Sequence, residues 1–115
     1  GEPFEAANQR VLLPFLKRIR TRYPQKTIWC YSGYLYEDDL LGESRARCEA
    51  TDEMLACIDV LVDGKYEEEL KDISLQFRGS SNQRIIDLSR SRIIGNTILW
   101  HEREDQDLRR HNLIM

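Results

Sequence analysis

Residues 58–64 read IDVLVDG, and this stretch decides the fold. Its apolar, partly β-branched residues before a closing glycine favour a buried strand over residues 58–63. A second run of the same kind, TIWCYS at residues 27–32, lies between Lys26 and Gly33. The sequence therefore predicts two buried strands, each followed by a glycine.

A helical segment precedes each predicted strand. From Asn8, a candidate N-cap, apolar residues recur at helical spacing as far as Ile19, so we expect a helix that ends near Tyr23. Pro14 lies inside this pattern and predicts a kink or a later start. Thr51 is expected to cap a short second helix. Two helix-then-strand units in succession predict parallel strands joined by crossovers, the arrangement of an α/β fold.

The C-terminal third carries weaker signals. Residues 85–86 form a brief apolar run that favours a third strand. Residues 93–100 place a Gly-Asn pair between apolar residues, which predicts a closing hairpin. Residues from about 102 to 115 include so many charges that we expect a frayed helix or a tail. A length of 115 residues and a mass of 13.6 kDa support a single domain over the whole chain, residues 1–115.

The charge balance argues against one class of partner. Basic side chains number 17 and acidic ones 20, so the formal net charge is -3 and no overall positive field attracts nucleic acid. No apolar run approaches the roughly 20 residues that span a bilayer, and no signal segment opens the chain. We therefore expect a cytoplasmic protein with neither a nucleic-acid nor a membrane partner.

The three cysteines, Cys30, Cys48 and Cys57, do not form a metal motif. Zinc and iron-sulfur sites usually place at least two cysteines within a few residues of each other, and no two lie so close here. An odd number of separated cysteines suits reduced thiols better than a disulfide framework. We expect them to pack as small apolar side chains.

Polar residues follow each predicted strand. Ser32 and Gly33 come at the end of the first strand, and Asp63 and Lys65 flank the glycine that ends the second. Because ligands of parallel α/β sheets bind beyond the carboxyl ends of the strands, these positions are candidates for a polar binding rim. Asp-Gly and Ser-Gly are also common turn dipeptides. Composition and spacing therefore establish only an α/β domain with a polar rim.

A resemblance to a known family rests on four stretches: GEPF at residues 1–4, WCYSGY at 29–34, IDVLVDG at 58–64 and FRGSSNQRIID at 77–87. Together they resemble the anaerobic (class III) ribonucleoside-triphosphate reductase activating proteins of the radical S-adenosylmethionine family. The similarity extends from Gly1 to about Leu88, and the fourth stretch is its most specific part.

The resemblance implies a fold and an activity. The fold is a partial (β/α) barrel of the radical S-adenosylmethionine type, with parallel strands, crossover helices and its N-terminal strands missing. The activity is that of an oxidoreductase that uses a 4Fe-4S cluster and S-adenosyl-L-methionine to generate a glycyl radical on the large subunit of anaerobic ribonucleoside-triphosphate reductase. The cluster-binding Cys-x-x-x-Cys-x-x-Cys loop is expected upstream of Gly1. This chain is then expected to contain no metal ligand and no catalytic residue, and to be inactive alone.

The resemblance also implies which residues contact the cofactor. The backbone of Gly1 and Glu2 would take the amino group of the methionine moiety, and the strand-end positions would contact the methionine or the ribose. The loop at residues 79–83 would either close the site or face the reductase. The full expected set is Gly1, Glu2, Ser32, Gly33, Asp63, Lys65, Gly79, Ser80, Ser81, Asn82 and Gln83.

Two alternatives stay open beside this reading. The first is an activase of another glycyl-radical enzyme, such as one of the formate-lyase type, although the segment at residues 77–87 favours the reductase branch. The second is a non-catalytic protein-interaction module whose polar rim docks a partner.

Overall fold

The computed structural model describes residues 1–101 and 112–115. The elements in that part of the chain are α1 (Ala6–Arg22), β1 (Thr27–Tyr31), a π-helical segment (Tyr36–Leu41), α2 (Thr51–Cys57), β2 (Val60–Asp63), a 3-10 turn (Glu68–Leu70), β3 (Arg84–Asp87), α3 (Leu88–Ile94) and β4 (Asn112–Ile114).

The strands form one mixed sheet in the order β3-β2-β1-β4. Strand β1 pairs in parallel with β2, with Cys30 opposite Leu61, and this confirms the predicted crossover through α2. The third strand also lies where it was expected, but it runs antiparallel to β2 and so departs from the all-parallel expectation. Parallel strands need a helical crossover, whereas residues 64–83 contain only a 3-10 turn and loops. The partial barrel itself stays a prediction.

Helix α1 differs from its predicted form at its N-terminus. The helix begins at Ala6 after an extended Glu5, so Asn8 lies within the first turns and does not cap it. Pro14 sits inside the helix, which continues through it to Arg22. Among the helices of the described ranges, none combines the length and the apolar character that crossing a bilayer requires.

The two faces of the sheet bury different side chains, because successive residues of a strand point to opposite faces. On one face Cys30, Leu61 and Ile86 pack with the buried residues of the helices. On the other face Trp29 packs against Phe77 and Trp100, with ring centroids 5.2 Å and 4.9 Å away. The sheet is therefore covered on both sides.

The segment after β3 was predicted wrongly. Of the residues expected to form a hairpin, Ile93 and Ile94 end helix α3, and Gly95 follows with φ 83°. Leu99 instead pairs antiparallel with Ile86 of β3. The Asp87 side chain caps the helix by accepting from the Arg90 N–H at 3.0 Å. The expected charged tail over residues 102–115 lies partly outside the described residues. At its end the structure differs from this expectation, because Asn112–Ile114 form strand β4, parallel to β1.

Candidate functional site

An open cleft of ≈ 310 Å³ lies at the carboxyl ends of β1 and β2. We call it the strand-end cleft. It is lined by Gly1, Glu2, Pro3, Tyr31, Ser32, Gly33, Gly64, Tyr66 and Gln83. Five of the residues expected to contact a cofactor are in this set, and they come from three separate segments of the chain.

The carboxylate of Glu2 joins the N-terminal segment to the end of β1. Its Oε1 accepts from the Gly33 N–H at 2.6 Å, and its Oε2 accepts from the Ser32 hydroxyl at 2.9 Å and the Phe4 N–H at 2.8 Å. Hydrogen bonds to an ionised carboxylate are stronger than those between neutral groups. The Glu2 side chain therefore positions the Gly1–Pro3 backbone along the cleft.

Two glycines keep the cleft open. Gly64 has φ +99°, a left-handed conformation that side chains rarely adopt. A Cβ on Gly33 would lie 3.4 Å from the Glu2 Oε1, in van der Waals contact with the carboxylate that orders the cleft. The Ser32 N–H also donates to the Val62 carbonyl at 2.9 Å, which ties the two strand ends together.

The loop at residues 79–83 folds around the side chain of Gln83. The Gln83 Oε1 accepts from the N–H groups of Gly79 and Ser80 at 2.9 Å and 3.1 Å, and its Nε2 donates to the Gly64 carbonyl at 3.0 Å. The Asn82 amide donates to the Lys65 carbonyl at 2.8 Å. Of the loop, only Gln83 lines the cleft, and the contacts expected from the four positions before it stay predictions.

Tyr66 lines the cleft and was missed from the sequence. Its ring lies against Gly79, where a Cβ would be 3.0 Å from two ring carbons. Its hydroxyl donates to the Glu68 Oε2 at 2.7 Å, and this bond raises the pKa of Tyr66. Its position in the sequence could have indicated it, because Tyr66 is an aromatic residue two positions after Gly64, the glycine that follows β2.

Asp63 and Lys65 do not line the cleft, and the contacts expected from them to a cofactor stay predictions. Asp63 is fully buried, and its carboxylate accepts from the Tyr36 N–H at 2.8 Å and from the Arg84 Nε at 3.0 Å. Arg84 also donates two hydrogen bonds to Glu37 and holds the pKa of that carboxyl at about 2. Asp63 is therefore part of an ion-pair network with Arg84 and Glu37, while Lys65 is exposed to solvent.

The cysteines do not assemble a metal site in the described ranges. Cys30, Cys48 and Cys57 are free thiols, and no group of three metal-binding side chains occurs among residues 1–101 and 112–115. Burial raises the pKa of the Cys30 thiol, which keeps it protonated. Among the described residues, no such group is placed to hold an iron-sulfur cluster.

Comparison with known proteins gives one family and a consistent set of relatives. Residues 1–86 match the family model described as a 4Fe-4S single cluster domain. The chain is 44% identical over 85 residues to the anaerobic ribonucleoside-triphosphate reductase-activating protein of Haemophilus influenzae, covering 74% of this chain and 50% of that protein.

Proteins of the same name in Escherichia coli and in Enterobacteria phage T4 are more distant. The first is 42% identical over 72% of this chain and 49% of its own length. The second is 35% identical over 74% of this chain and 47% of its own length. The chain thus spans about half the length of the curated relatives it matches. No solved structure matches it.

Proposed function

Because the chain belongs to the 4Fe-4S single cluster domain family, we propose that it is part of an activating protein for anaerobic ribonucleoside-triphosphate reductase. The parent protein uses a 4Fe-4S cluster and S-adenosyl-L-methionine to generate a glycyl radical on the large subunit of that reductase. The single observation that carries this proposal is the strand-end cleft, in which Gly1 and Glu2 meet Ser32, Gly33 and Gln83.

The cleft suits S-adenosyl-L-methionine through its backbone more than through its side chains. The carbonyl of Glu2 already accepts from the Glu5 N–H and the Asn8 amide. The Gly1 carbonyl has no hydrogen bond to any other described residue, so we assign it as the acceptor for the methionine amino group. The side chains of Glu2 and Gln83 are occupied by the bonds that shape the cleft.

The described residues bind and orient, and they do not perform the chemistry. When bound, S-adenosyl-L-methionine supplies the group that takes a hydrogen atom from the reductase glycine, with the cluster as the electron source. No described side chain fits the cluster, so a Cys-x-x-x-Cys-x-x-Cys loop ahead of Gly1 stays our proposal for its ligands. The three free thiols support a reducing, cytoplasmic location.

The test is anaerobic reconstitution of the full-length gene product with iron and sulfide. We expect reductive cleavage of S-adenosyl-L-methionine to 5'-deoxyadenosine, and a glycyl-radical signal in electron paramagnetic resonance when the reductase large subunit is added. A formate-lyase-type enzyme serves as the control partner and should give no signal. A colourless, inert protein would overturn the proposal, and a signal only with the control partner would move it to that other branch.

A further inference from the structure

A second and larger hollow, of ≈ 680 Å³, lies on the helical side of the sheet, away from the strand-end cleft. We call it the α3 cavity. Its walls come from the π-helical segment, α2, α3 and the turn after α3. The lining side chains that matter here are Tyr36, Glu37, Leu41, Asp52, Leu55 and Arg92. Its volume falls in the range of small-molecule sites, about 300–1,000 Å³.

Tyr36 presents an unpaired hydroxyl to this cavity. The residue is only 3% exposed, and its backbone N–H is held by the buried Asp63 carboxylate. Its hydroxyl has no hydrogen bond to any residue within 1–101 and 112–115, and no buried side-chain oxygen or nitrogen in those ranges lacks a partner. The hydroxyl must therefore reach the open space of the cavity. Tyr36 also begins a π-helical segment, a rare form that occurs frequently at functional sites.

Arg92, on α3, contributes a positive charge to the same cavity and has no ion-pair partner among the described residues. Its guanidinium makes no hydrogen bond or ion pair with the residues that the structure describes. It stands close enough to Tyr36 for its positive charge to lower the pKa of that hydroxyl against the raising effect of burial. An arginine and a phenol hydroxyl together offer donors to an anion.

The two carboxylates at the cavity are already paired. Glu37 accepts two hydrogen bonds from Arg84 and a third from the Thr97 hydroxyl. Asp52 is paired with Arg47, with 2.6 Å between Asp52 Oδ1 and Arg47 Nη1. Their partners offset these charges, but both would repel a ligand with two negative charges. Among the described residues of the lining, Arg92 is the one cationic side chain, so the cavity matches a ligand with one negative charge.

The rest of the lining is apolar. Leu55 is 2% exposed and Leu41 is half exposed. Both line the cavity, so a ligand bound to Tyr36 and Arg92 would contact apolar side chains. A ligand here needs a charged end and an apolar body of several carbon atoms.

We propose that the α3 cavity binds a small organic monocarboxylate, whose carboxylate lies on the Arg92 guanidinium and the Tyr36 hydroxyl and whose apolar body packs on Leu41 and Leu55. This site is separate from the strand-end cleft and does not depend on the function proposed for it.

The test is titration of the full chain with benzoate, followed by amide and tyrosine ring shifts in nuclear magnetic resonance. We expect saturable binding that weakens about tenfold or more in Arg92→Gln and less strongly in Tyr36→Phe. The matched control is Arg18→Gln, an exposed arginine on α1, which should bind benzoate like the wild type. Inorganic phosphate should bind more weakly than benzoate.

The proposal is overturned by any of three results. These are an absence of saturable shifts in the wild type, equal affinity in Arg92→Gln and wild type, or tighter binding of inorganic phosphate than of benzoate. Thermal melts establish that each variant is folded, and Tyr36→Phe, which removes one oxygen atom, decides the matter if Arg92→Gln is unfolded.

Discussion

The buried carboxylate of Asp63 accepts two hydrogen bonds from the Arg84 guanidinium, one from Nε at 3.0 Å and one from Nη2 at 2.5 Å. Asp63 is fully buried, while the Arg84 side chain is 34% exposed. This pair joins the end of β2 to the start of β3.

Arg84→Met should destabilise the protein, because it leaves the Asp63 charge buried without its ionic partner. Removing one member of a buried pair costs about 3–5 kcal/mol, and the partial exposure of Arg84 puts the expected loss near the lower value. Urea unfolding measures this loss in the free energy of unfolding. The control is Arg10→Met, which breaks the exposed pair with Glu49 and should leave the unfolding midpoint nearly unchanged. Equal midpoints for both variants would contradict the role assigned to Asp63.

The lowered pKa of Glu37 predicts that the folded protein loses stability in acid. The hydrogen bonds from Arg84 lower the pKa of Glu37 from 4.5 to about 2 in the folded chain. The stabilisation is therefore fully present above about pH 4.5, and it is lost as the pH falls toward 2. As the pH is lowered from 4.5 to about 2, the melting temperature should fall less steeply in Glu37→Gln than in the wild type. Glu69→Gln, at an exposed position, should follow the wild-type curve, and identical slopes for all three proteins would refute the assignment.

Glu2→Gln should weaken the binding of S-adenosyl-L-methionine that we propose for the strand-end cleft. The amide keeps the size of the side chain but loses the charge, and one of its two ends can no longer accept from Gly33 or Ser32. We expect about tenfold weaker binding, measured by equilibrium dialysis of the reconstituted full-length protein. Glu43→Gln, which lies outside the cleft, is the control. Unchanged affinity in Glu2→Gln would show that this carboxylate does not order the cleft.

Gly79→Ala should move the ring of Tyr66. The new methyl group would lie 3.0 Å from two ring carbons, so the ring must shift within the cleft. Tyrosine ring resonances report that shift directly. In contrast, Gly95→Ala meets no atom within 4 Å and should leave these resonances in place, although its left-handed φ of +83° makes it cost about 1 kcal/mol in stability. Ring shifts of the same size in both variants would exclude a direct contact between Gly79 and Tyr66.

Local patterns in the sequence predicted much of the fold. Strands β1 and β2 lie within two residues of their predicted ends, because short β-branched and apolar runs that end at a glycine favour buried strands. The hairpin prediction failed because Ile93 and Ile94, the apolar pair before Gly95, belong to the end of α3. In the structure both are exposed on α3, at 86% and 58%. The antiparallel direction of β3 was equally out of reach, since it depends on how residues 64–83 fold back.

The sequence by itself determined two buried parallel strands and the polar residues Ser32 and Gly33 at the end of the first, since apolar periodicity and strand-end position are local properties. The tertiary structure alone decided that Asp63 turns away from that rim toward Arg84, and that Tyr36 and Arg92 meet across a cavity. Such pairs join residues far apart in the chain. Their distances depend on how whole elements pack, and no local pattern encodes that packing.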